Sequence, residues 1–392
     1  MKTKNLTLSR KLAALATTAF VGIGFAIPAA HADVTLYSGN NLVPSISVYV
    51  RVDAGIRAVT NVDLSQYNGK TGTGTVVQGA GNDWGTSMFG IDGALKLSPD
   101  LQAIYKIESG FNAENGNFNS STNSIFNRRA YVGLSDDRFG TIMFGRDLFI
   151  DNDIWAYDPM GQENMSTATL VNGRSWPGAG EMVEYRSPDL DGLKIGLQAS
   201  FDKSNEDNAA GDAAPSTRIS DAYGASGQYA IGKLSLLAIY DEVRSNTGYT
   251  SLYNYSREAI FGGTYNFDPV EVYAGYQILS APQAGTSVSD VGTVTANASH
   301  AGMSWVGAVW TVSPNVTIRG AWYHTSVNHS YGDANLFTVG TEYYFRPQMF
   351  WYGTVGEVMN KGQNDFSADI GSPGPKPGHD QFAGYTGLSI GF

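Results

Sequence analysis

Residues 46–58 have the sequence ISVYVRVDAGIRA, in which every second residue is apolar. The even-numbered positions are all Ile, Val or Ala, whereas the odd-numbered positions include Arg51, Asp53 and Arg57. A period of two predicts a β-strand with one apolar and one polar face. Strands of soluble proteins usually have about five or six residues, whereas a tilted strand that crosses a bilayer needs about 9–11. The length of this segment therefore favours a strand that crosses a membrane.

The same alternation recurs along the chain, most clearly in residues 101–111, 193–202, 316–325 and 382–392. Aromatic residues near the ends of these segments are typical of the girdles at membrane boundaries: Phe201, Phe267, Trp305, Trp322, Phe345, Phe350, Tyr352 and Phe392. Alternation alone does not exclude an exported soluble β-sandwich that binds carbohydrate. A soluble sandwich would share the amino-acid composition of this chain but would not have such long strands.

The connections between the strands alternate in length. Short turns with Pro, Asp or Gly, which favour tight turns, are expected at 98–100, 136–138, 188–192, 231–233, 268–269, 313–315 and 346–348. Long polar loops are expected at 59–83, 112–124, 147–181, 203–219, 245–256, 281–299, 327–334 and 360–381. Seven turns and eight loops join sixteen strands, and an even number closes the sheet without an edge. The sequence therefore predicts an all-β, sixteen-stranded antiparallel transmembrane β-barrel with long extracellular loops and short periplasmic turns.

Residues 1–32 have the features of a secretory signal peptide. A basic start precedes a short apolar stretch, and Ala30-His31-Ala32 fits the cleavage rule, so we expect removal before Asp33. Residues 33–392 then form a single barrel domain. The whole chain has a formal net charge of −11, and loss of the four cations of the leader leaves −15. A chain with so much negative charge binds nucleic acid poorly. No nucleic-acid partner is therefore expected.

Sites for catalysis, metals or cofactors are not evident in the sequence. His300, His324, His329 and His379 lie in or beside predicted loops without the spacing of metal ligands. An outer-membrane barrel enzyme such as a lipase is the alternative of a different class. It would need a Ser, a His and a polar group that orients the His, and nothing marks such a set. We expect no catalytic residue, no metal and no cofactor.

Five segments resemble the trimeric general porins of Gram-negative outer membranes. They are NRRAYVGL at 127–134, FGTIMFGR at 139–146, DPMG at 158–161, VEYRSP at 183–188 and the terminal YTGLSIGF at 385–392. The resemblance spans nearly the whole mature chain and is most specific between 127 and 188. It implies a water-filled channel for passive diffusion of small hydrophilic solutes and ions. It also implies a homotrimer among outer-membrane lipids and lipopolysaccharide, and a terminal Phe392 that the barrel-assembly machinery reads.

The resemblance further implies that the third loop folds into the barrel and narrows it. Acidic loop residues would then face basic wall residues, and opposed charges would set a field across the opening. The expected constriction residues are Arg51, Arg57, Lys106, Glu108, Arg128, Arg129, Arg146, Asp147, Asp151, Asp153, Asp158, Glu163 and Arg319. The acidic loop weakly favours cations, while the wall arginines act in the opposite direction.

The N-terminus departs from the family pattern. VTLY at 34–37 is similar to the family's mature start, but VDAG at 52–55 follows about a dozen residues late. Either 34–37 or 46–58 could pair with the last strand and close the barrel. The sequence leaves both choices open.

Overall fold

The computed structural model describes residues 34–39, 43–67, 70–119, 124–174, 178–201, 222–245, 247–288 and 294–392. The predicted signal peptide, residues 1–32, and its cleavage before Asp33 lie outside the described residues. The whole predicted loop at 203–219 also lies outside them. Within the described ranges, no helix is long and apolar enough to span a membrane.

Twenty β-strands and three short 3₁₀ segments make up the described secondary structure. The strands are β1 Val34–Tyr37, β2 Ile46–Asp63, β3 Thr73–Gly81, β4 Ser87–Lys96, β5 Leu101–Phe111, β6 Arg129–Asp136, β7 Gly140–Leu148, β8 Gly178–Arg186, β9 Leu193–Ser200, β10 Ala222–Ile231, β11 Leu234–Val243, β12 Arg257–Asn266, β13 Val270–Ser280, β14 Thr286–Val288, β15 Val294–Ala296, β16 His300–Ser313, β17 Val316–Val327, β18 Gly332–Arg346, β19 Met349–Asn360 and β20 Gln381–Gly391. The 3₁₀ segments are Leu64–Gln66, Ile150–Tyr157 and Thr169–Val171.

The predicted sixteen-stranded barrel is confirmed. The first half of β2 pairs with β4 and its second half pairs with β3, so β3 and β4 are one wall strand interrupted at 82–86. β14 and β15 form a separate hairpin within the sixth loop. Counting β3 and β4 once, and leaving out β1, gives a closed antiparallel wall of sixteen strands.

The barrel is closed by β2 and not by β1. Arg51 to Val59 of β2 pair with Gly391 to Ala383 of β20. β1 pairs with the N-terminal part of β2, where Val34 lies opposite Val48. Because β4 occupies the other edge of β2 there, β1 extends the edge that β20 leaves free. The choice that the sequence left open is thereby resolved.

The two faces of the wall differ as the alternation predicts. Val52 and Ile56 point outward with 36% and 59% of their surface exposed, whereas Arg51 and Asp53 point inward and are buried. Apolar side chains facing lipid and polar side chains facing the lumen are typical of membrane barrels. This arrangement excludes the soluble β-sandwich.

Two expectations about the strands were wrong in detail. The predicted loop at 59–83 is shorter, because β2 continues to Asp63 and β3 begins at Thr73. Along β3, Val77 faces outward and Ala80 is buried, so the Gly- and Thr-rich stretch still alternates, whereas a register shift separates the buried Val59 and Val62 of β2. Among the predicted girdle residues, Trp305, Phe350 and Tyr352 are buried inside the barrel. They pack in the lumen instead of at the membrane boundary.

Candidate pore constriction

The third loop, residues 149–174 between β7 and β8, folds into the lumen as the resemblance implied. Its first part is the 3₁₀ segment Ile150–Tyr157. The loop buries an apolar series that includes Ile154, Met160, Met165 and Leu170. A surface loop would keep such residues in water at a cost of about 1.5–3 kcal/mol each. The apolar content therefore explains why the loop lies against the wall.

Glycines in the wall make room for the loop. A Cβ atom at Gly262 of β12 would lie 3.0 Å from Cβ of Tyr157, and one at Gly224 of β10 would lie 2.4 Å from Cγ2 of Ile150. Real Cβ atoms are rarely so close to other atoms. A larger residue at either position would force the loop further into the lumen.

The end of the loop is anchored by Arg174, which the sequence did not single out. Its guanidinium lies 3.2 Å from Asp151, 2.5 Å from Asp241 of β11 and 3.4 Å from Glu258 of β12. All four side chains are buried. The three carboxylates are close enough together to share a metal ion. The guanidinium of Arg174 already supplies a cation to this cluster.

The tip of the loop is fixed by Arg319 of β17. Its guanidinium lies 3.1 Å from Glu163 and 2.6 Å from Glu342 of β18. Glu163 also accepts hydrogen bonds from the hydroxyls of Thr354 and Tyr385, at 2.6 and 2.8 Å. Burial raises the pKa of Glu163 to about 7, and the charge of Arg319 opposes this shift. Glu163 is thus a buried structural contact and not an exposed charge of the opening.

Asp158 is also structural. Its carboxylate accepts hydrogen bonds from the backbone amides of Met160 and Thr167, at 2.8 and 2.6 Å, and from the Tyr323 hydroxyl at 2.5 Å. Its side chain is fully buried. Burial raises the pKa of Asp158, while these hydrogen bonds oppose the rise. The loop tip is therefore held to the wall by both of its predicted acidic residues.

Asp153 faces the lumen from the middle of the loop. It lies 2.5 Å from Arg186 of β8 and accepts a hydrogen bond from Ser226 of β10 at 2.9 Å. Arg186 also binds Glu184 at 2.5 Å. The charge of Asp153 is therefore compensated by an arginine that the sequence analysis did not include.

A second group of charges surrounds Glu108 on the wall. Glu108 is buried and lies 2.7 Å from Nε of Arg128 and 2.6 Å from Nη1 of Arg129. Arg129 also binds Asp147 at 2.8 Å. Four of the predicted residues are thus brought together. Lys106 borders this group: it pairs with Asp92 at 3.5 Å and lies 4.6 Å from the centre of the Tyr49 ring, whose hydroxyl donates to Glu108.

The prediction that Arg146 lines the constriction was wrong. Arg146 is in register with Ala130, and Phe144 is in register with Val132. Val132 and Phe144 are exposed on the outer face, so Arg146 shares that face. Its Nε donates to the backbone oxygen of Asn127 at 2.8 Å.

Arg57 joins three parts of the barrel. Its Nη1 lies 3.1 Å from Asp83, in the interruption between β3 and β4, and 3.1 Å from Asp369, in the loop between β19 and β20. Neither carboxylate was expected in the constriction. Both carboxylates follow stretches rich in Gly, Asn or Ser. Such stretches do not indicate that the carboxylates after them reach the lumen.

Two cavities lie on opposite sides of the third loop. The upper cavity, on the extracellular side, has about 650 Å³ and is lined in part by Arg57, Glu114 and Arg128. The lower cavity has about 300 Å³ and is lined by residues near the periplasmic turns, which include Tyr273 and Arg319. Asn152, Trp155 and Gln162 of the loop line both cavities. The loop therefore forms the narrow part between two polar compartments.

The charged residues that line the two cavities are mostly basic. Arg57 and Arg128 line the upper cavity, and Arg51 and Arg319 line the lower one. Among the described residues, the acidic ones that line the cavities are Glu114 and Asp153. Five predicted residues thus line the cavities: Arg51, Arg57, Arg128, Asp153 and Arg319. Trp84, Trp155 and Gln162 were not predicted, because uncharged residues in loops carry no charge signal.

Comparisons with known proteins agree with this architecture. The family model of Gram-negative porins matches residues 14–363. An outer membrane porin protein of Bordetella pertussis is 26% identical over 363 residues, which cover 85% of this chain and 91% of the relative. The outer membrane porin PhoE of Klebsiella oxytoca is 28% identical over 144 residues, 34% of this chain and 36% of its own.

Solved structures share the fold. The anion-selective porin from Comamonas acidovorans superposes with a TM-score of 0.70 at 20% identity, covering 89% of this chain and all of that one. OmpF of Salmonella typhi, in complex with daunomycin, gives a TM-score of 0.61 at 18% identity, with 92% and 100% covered. With the family match over most of its length, the chain belongs to the Gram-negative porins, which form channels in the outer membrane.

Proposed function

We propose that solutes cross this porin through the gap beside the third loop, and that this gap sets the permeability. The observation that carries the proposal is the pair of cavities that share Asn152, Trp155 and Gln162. The constriction then consists of these three residues together with Arg51, Arg57, Arg128, Asp153 and Arg319. The remaining predicted charges, apart from Lys106 and Arg146, hold the loop and wall in place behind this lining.

The proposed channel favours small anions. Asp151, Asp153 and Glu163 each contact an arginine, so the acidic loop contributes little net field to the opening. The lining arginines Arg57, Arg128 and Arg319 are also paired with carboxylates. Arg51 is left as a buried charge of the narrow part with no carboxylate within ion-pair distance among the described residues, and a positive charge raises the local concentration of anions. The likeness to an anion-selective porin supports this direction. It revises the weak expectation of cation preference, which counted loop carboxylates without their partners.

We further propose that residues 33–392 form one domain, exported by the signal peptide and assembled as a homotrimer. OmpT, an outer membrane protein of Vibrio cholerae with a similar fold, has been solved in a trimer form. This similarity supports the homotrimer. Lipopolysaccharide and outer-membrane lipids would then surround the free outer face. The barrel-assembly machinery would insert the chain after contact with Phe392.

The proposed transport is passive, without a catalytic step. His300, His329 and His379 are exposed, and His324 contacts Asn335 through Nδ1 at 3.0 Å. None of these four histidines lines either cavity. The proposed function as a passive channel therefore requires no catalytic chemistry at the constriction.

A planar-bilayer recording tests the proposal. The purified mature chain should form ohmic channels whose current saturates weakly with salt, and a salt gradient should give a zero-current potential of the sign for anions. Electrophoresis without heating should show a trimer that heat dissociates. A detergent-free soluble monomer, or a protein that inserts without conducting, would overturn it.

A further inference from the structure

Arg51 of β2 is a buried cation without a carboxylate partner. Its side chain is 2% exposed, and no carboxylate among the described residues lies within ion-pair distance. Its Nε donates to the Thr86 oxygen at 2.8 Å, and Nη2 donates to the Gln162 side chain at 3.4 Å. The guanidinium carbon lies 5.5 Å from the centre of the Trp84 ring. Arg57, Arg174 and Arg319 each contact at least two carboxylates.

Two donors around the lower cavity lack acceptors. The indole Nε1 of Trp155 and Nε of Arg319 are buried and bind no acceptor among the described residues. Both residues line the same cavity as Arg51. A buried donor without a partner costs about 1–3 kcal/mol, and a buried charge without one costs more. Two donors without acceptors, beside a buried arginine without a carboxylate, suit a ligand that only accepts hydrogen bonds, such as an anion.

The cavity wall also has a flat apolar component. Trp84, Met160 and Tyr273 contribute to it, and Trp84 is fixed because its indole donates to Glu342 at 2.5 Å and packs edge-on against Phe350 at 4.6 Å. The acidic lining residue, Asp153, is compensated by Arg186. The volume of about 300 Å³ has room for one small ring.

We propose that this lower cavity is a binding subsite for small aromatic monocarboxylates. The carboxylate binds the guanidinium of Arg51, and the ring lies against the indoles of Trp84 and Trp155. Arginine is suited to carboxylates because its N–H groups match their geometry. Occupancy would concentrate a dilute solute at the narrow part of the pore and make its passage saturable. This inference rests on the proposed function.

Block of the KCl current by benzoate tests the subsite. In wild-type channels, benzoate should reduce the conductance saturably, with a half-blocking concentration about tenfold lower than that of acetate. Benzyl alcohol and benzylammonium, which keep the ring but lose the negative charge, should not block. Arg51→Gln should raise the half-blocking concentration of benzoate about tenfold, since one charge-assisted contact is lost. Trp155→Phe, which keeps a ring but removes Nε1–H, should raise it severalfold.

Arg138→Gln is the control, because it also removes one positive charge, but Arg138 lies at an exposed turn and lines neither cavity. It should leave both the preference for anions and the benzoate block unchanged. Equal block by benzoate and acetate would overturn the aromatic subsite, and so would unchanged block in both Arg51→Gln and Trp155→Phe. Normal conductance without any block overturns the subsite and leaves the channel intact. A wild-type chain that conducts no current overturns the proposed function and the subsite with it.

Discussion

Glu163 of the third loop and Arg319 of β17 form an ion pair of 3.1 Å, although 156 positions separate them in the chain. Both are buried, and Glu342 completes the group. The pair fastens the loop tip to the wall opposite the strand from which the loop departs. Arg174 fastens the other end to β11 and β12. The narrow part of the lumen is therefore held at both ends by ion pairs.

Arg174→Gln should destabilise the folded barrel. The change leaves Asp151, Asp241 and Glu258 buried without their shared cation, and loss of one member of a buried ion pair costs about 3–5 kcal/mol. The free energy of unfolding, measured by urea titration in lipid vesicles, should fall by about this amount. Arg138→Gln is the control, because that ion pair is exposed at a turn and contributes about 0–1 kcal/mol. Equal losses in the two variants would show that Arg174 is not an anchor.

Gly262→Val should push the loop into the lumen. The added side chain would clash with Tyr157. The hydroxyl of Tyr157 forms a hydrogen bond with the Ser235 hydroxyl at 2.9 Å. Overpacking costs about 1–3 kcal/mol, and the single-channel conductance should decrease. Gly227→Val is the matched control, because a Cβ there meets no atom within 4 Å. A conductance unchanged in both variants would contradict the packing of the loop against β12.

The alternation of apolar and polar residues was sufficient to predict the barrel. The segment from Ile46 to Ala58 lies in β2 with its arginines inside, as predicted. The interruption between β3 and β4 could not be predicted, because residues 82–86 have the composition of an ordinary loop. Their place in the lumen depends on Arg57 and on Asp369, which is distant in sequence.

Deletion of Phe392 should impair assembly more than conductance. The backbone of Phe392 exchanges two hydrogen bonds with Val50, at 2.9 and 3.0 Å, and its side chain is 57% exposed on the outer face. Removing it loosens the junction of the first and last wall strands. Insertion yield, measured by the fraction of heat-modifiable trimer in membranes, should fall severalfold, while inserted channels conduct normally. Phe139→Ala, another exposed aromatic at a turn, should insert like the wild type; equal yields for all three proteins would refute the role.

Selectivity should follow the lining and not the total charge. Arg51→Gln and Arg128→Gln should each shift the zero-current potential in a salt gradient towards cations. Asp153→Asn should shift it towards anions, since Arg186 is then less compensated. Asp158→Asn should leave the potential nearly unchanged and lower the yield, because Asp158 is buried. A large shift from Asp158→Asn, with none from Arg51→Gln, would mean that the lining has been misassigned.

The site was less predictable from the sequence than the wall. Strand parity predicts that Arg51, Arg57 and Arg319 face the lumen, but it does not indicate which charge meets which. Asp153 was expected to give the opening negative charge, and its partner Arg186 lies 33 positions away on β8. Pairing depends on the path of the loop. That path is set by buried apolar residues and by wall glycines such as Gly262.

Cysteine modification at Ala156 tests most directly whether the third loop lies in the conducting path. The chain has no cysteine, so Ala156→Cys introduces a single thiol on an exposed loop residue that lines the lower cavity. A negatively charged methanethiosulfonate reagent should lower the conductance of each trimer in three steps and weaken its preference for anions. The control is Val132→Cys, on the outer face of β6 with 61% exposure, where lipid should prevent reaction. A current unchanged after complete labelling of Ala156→Cys would contradict a constriction formed by the third loop.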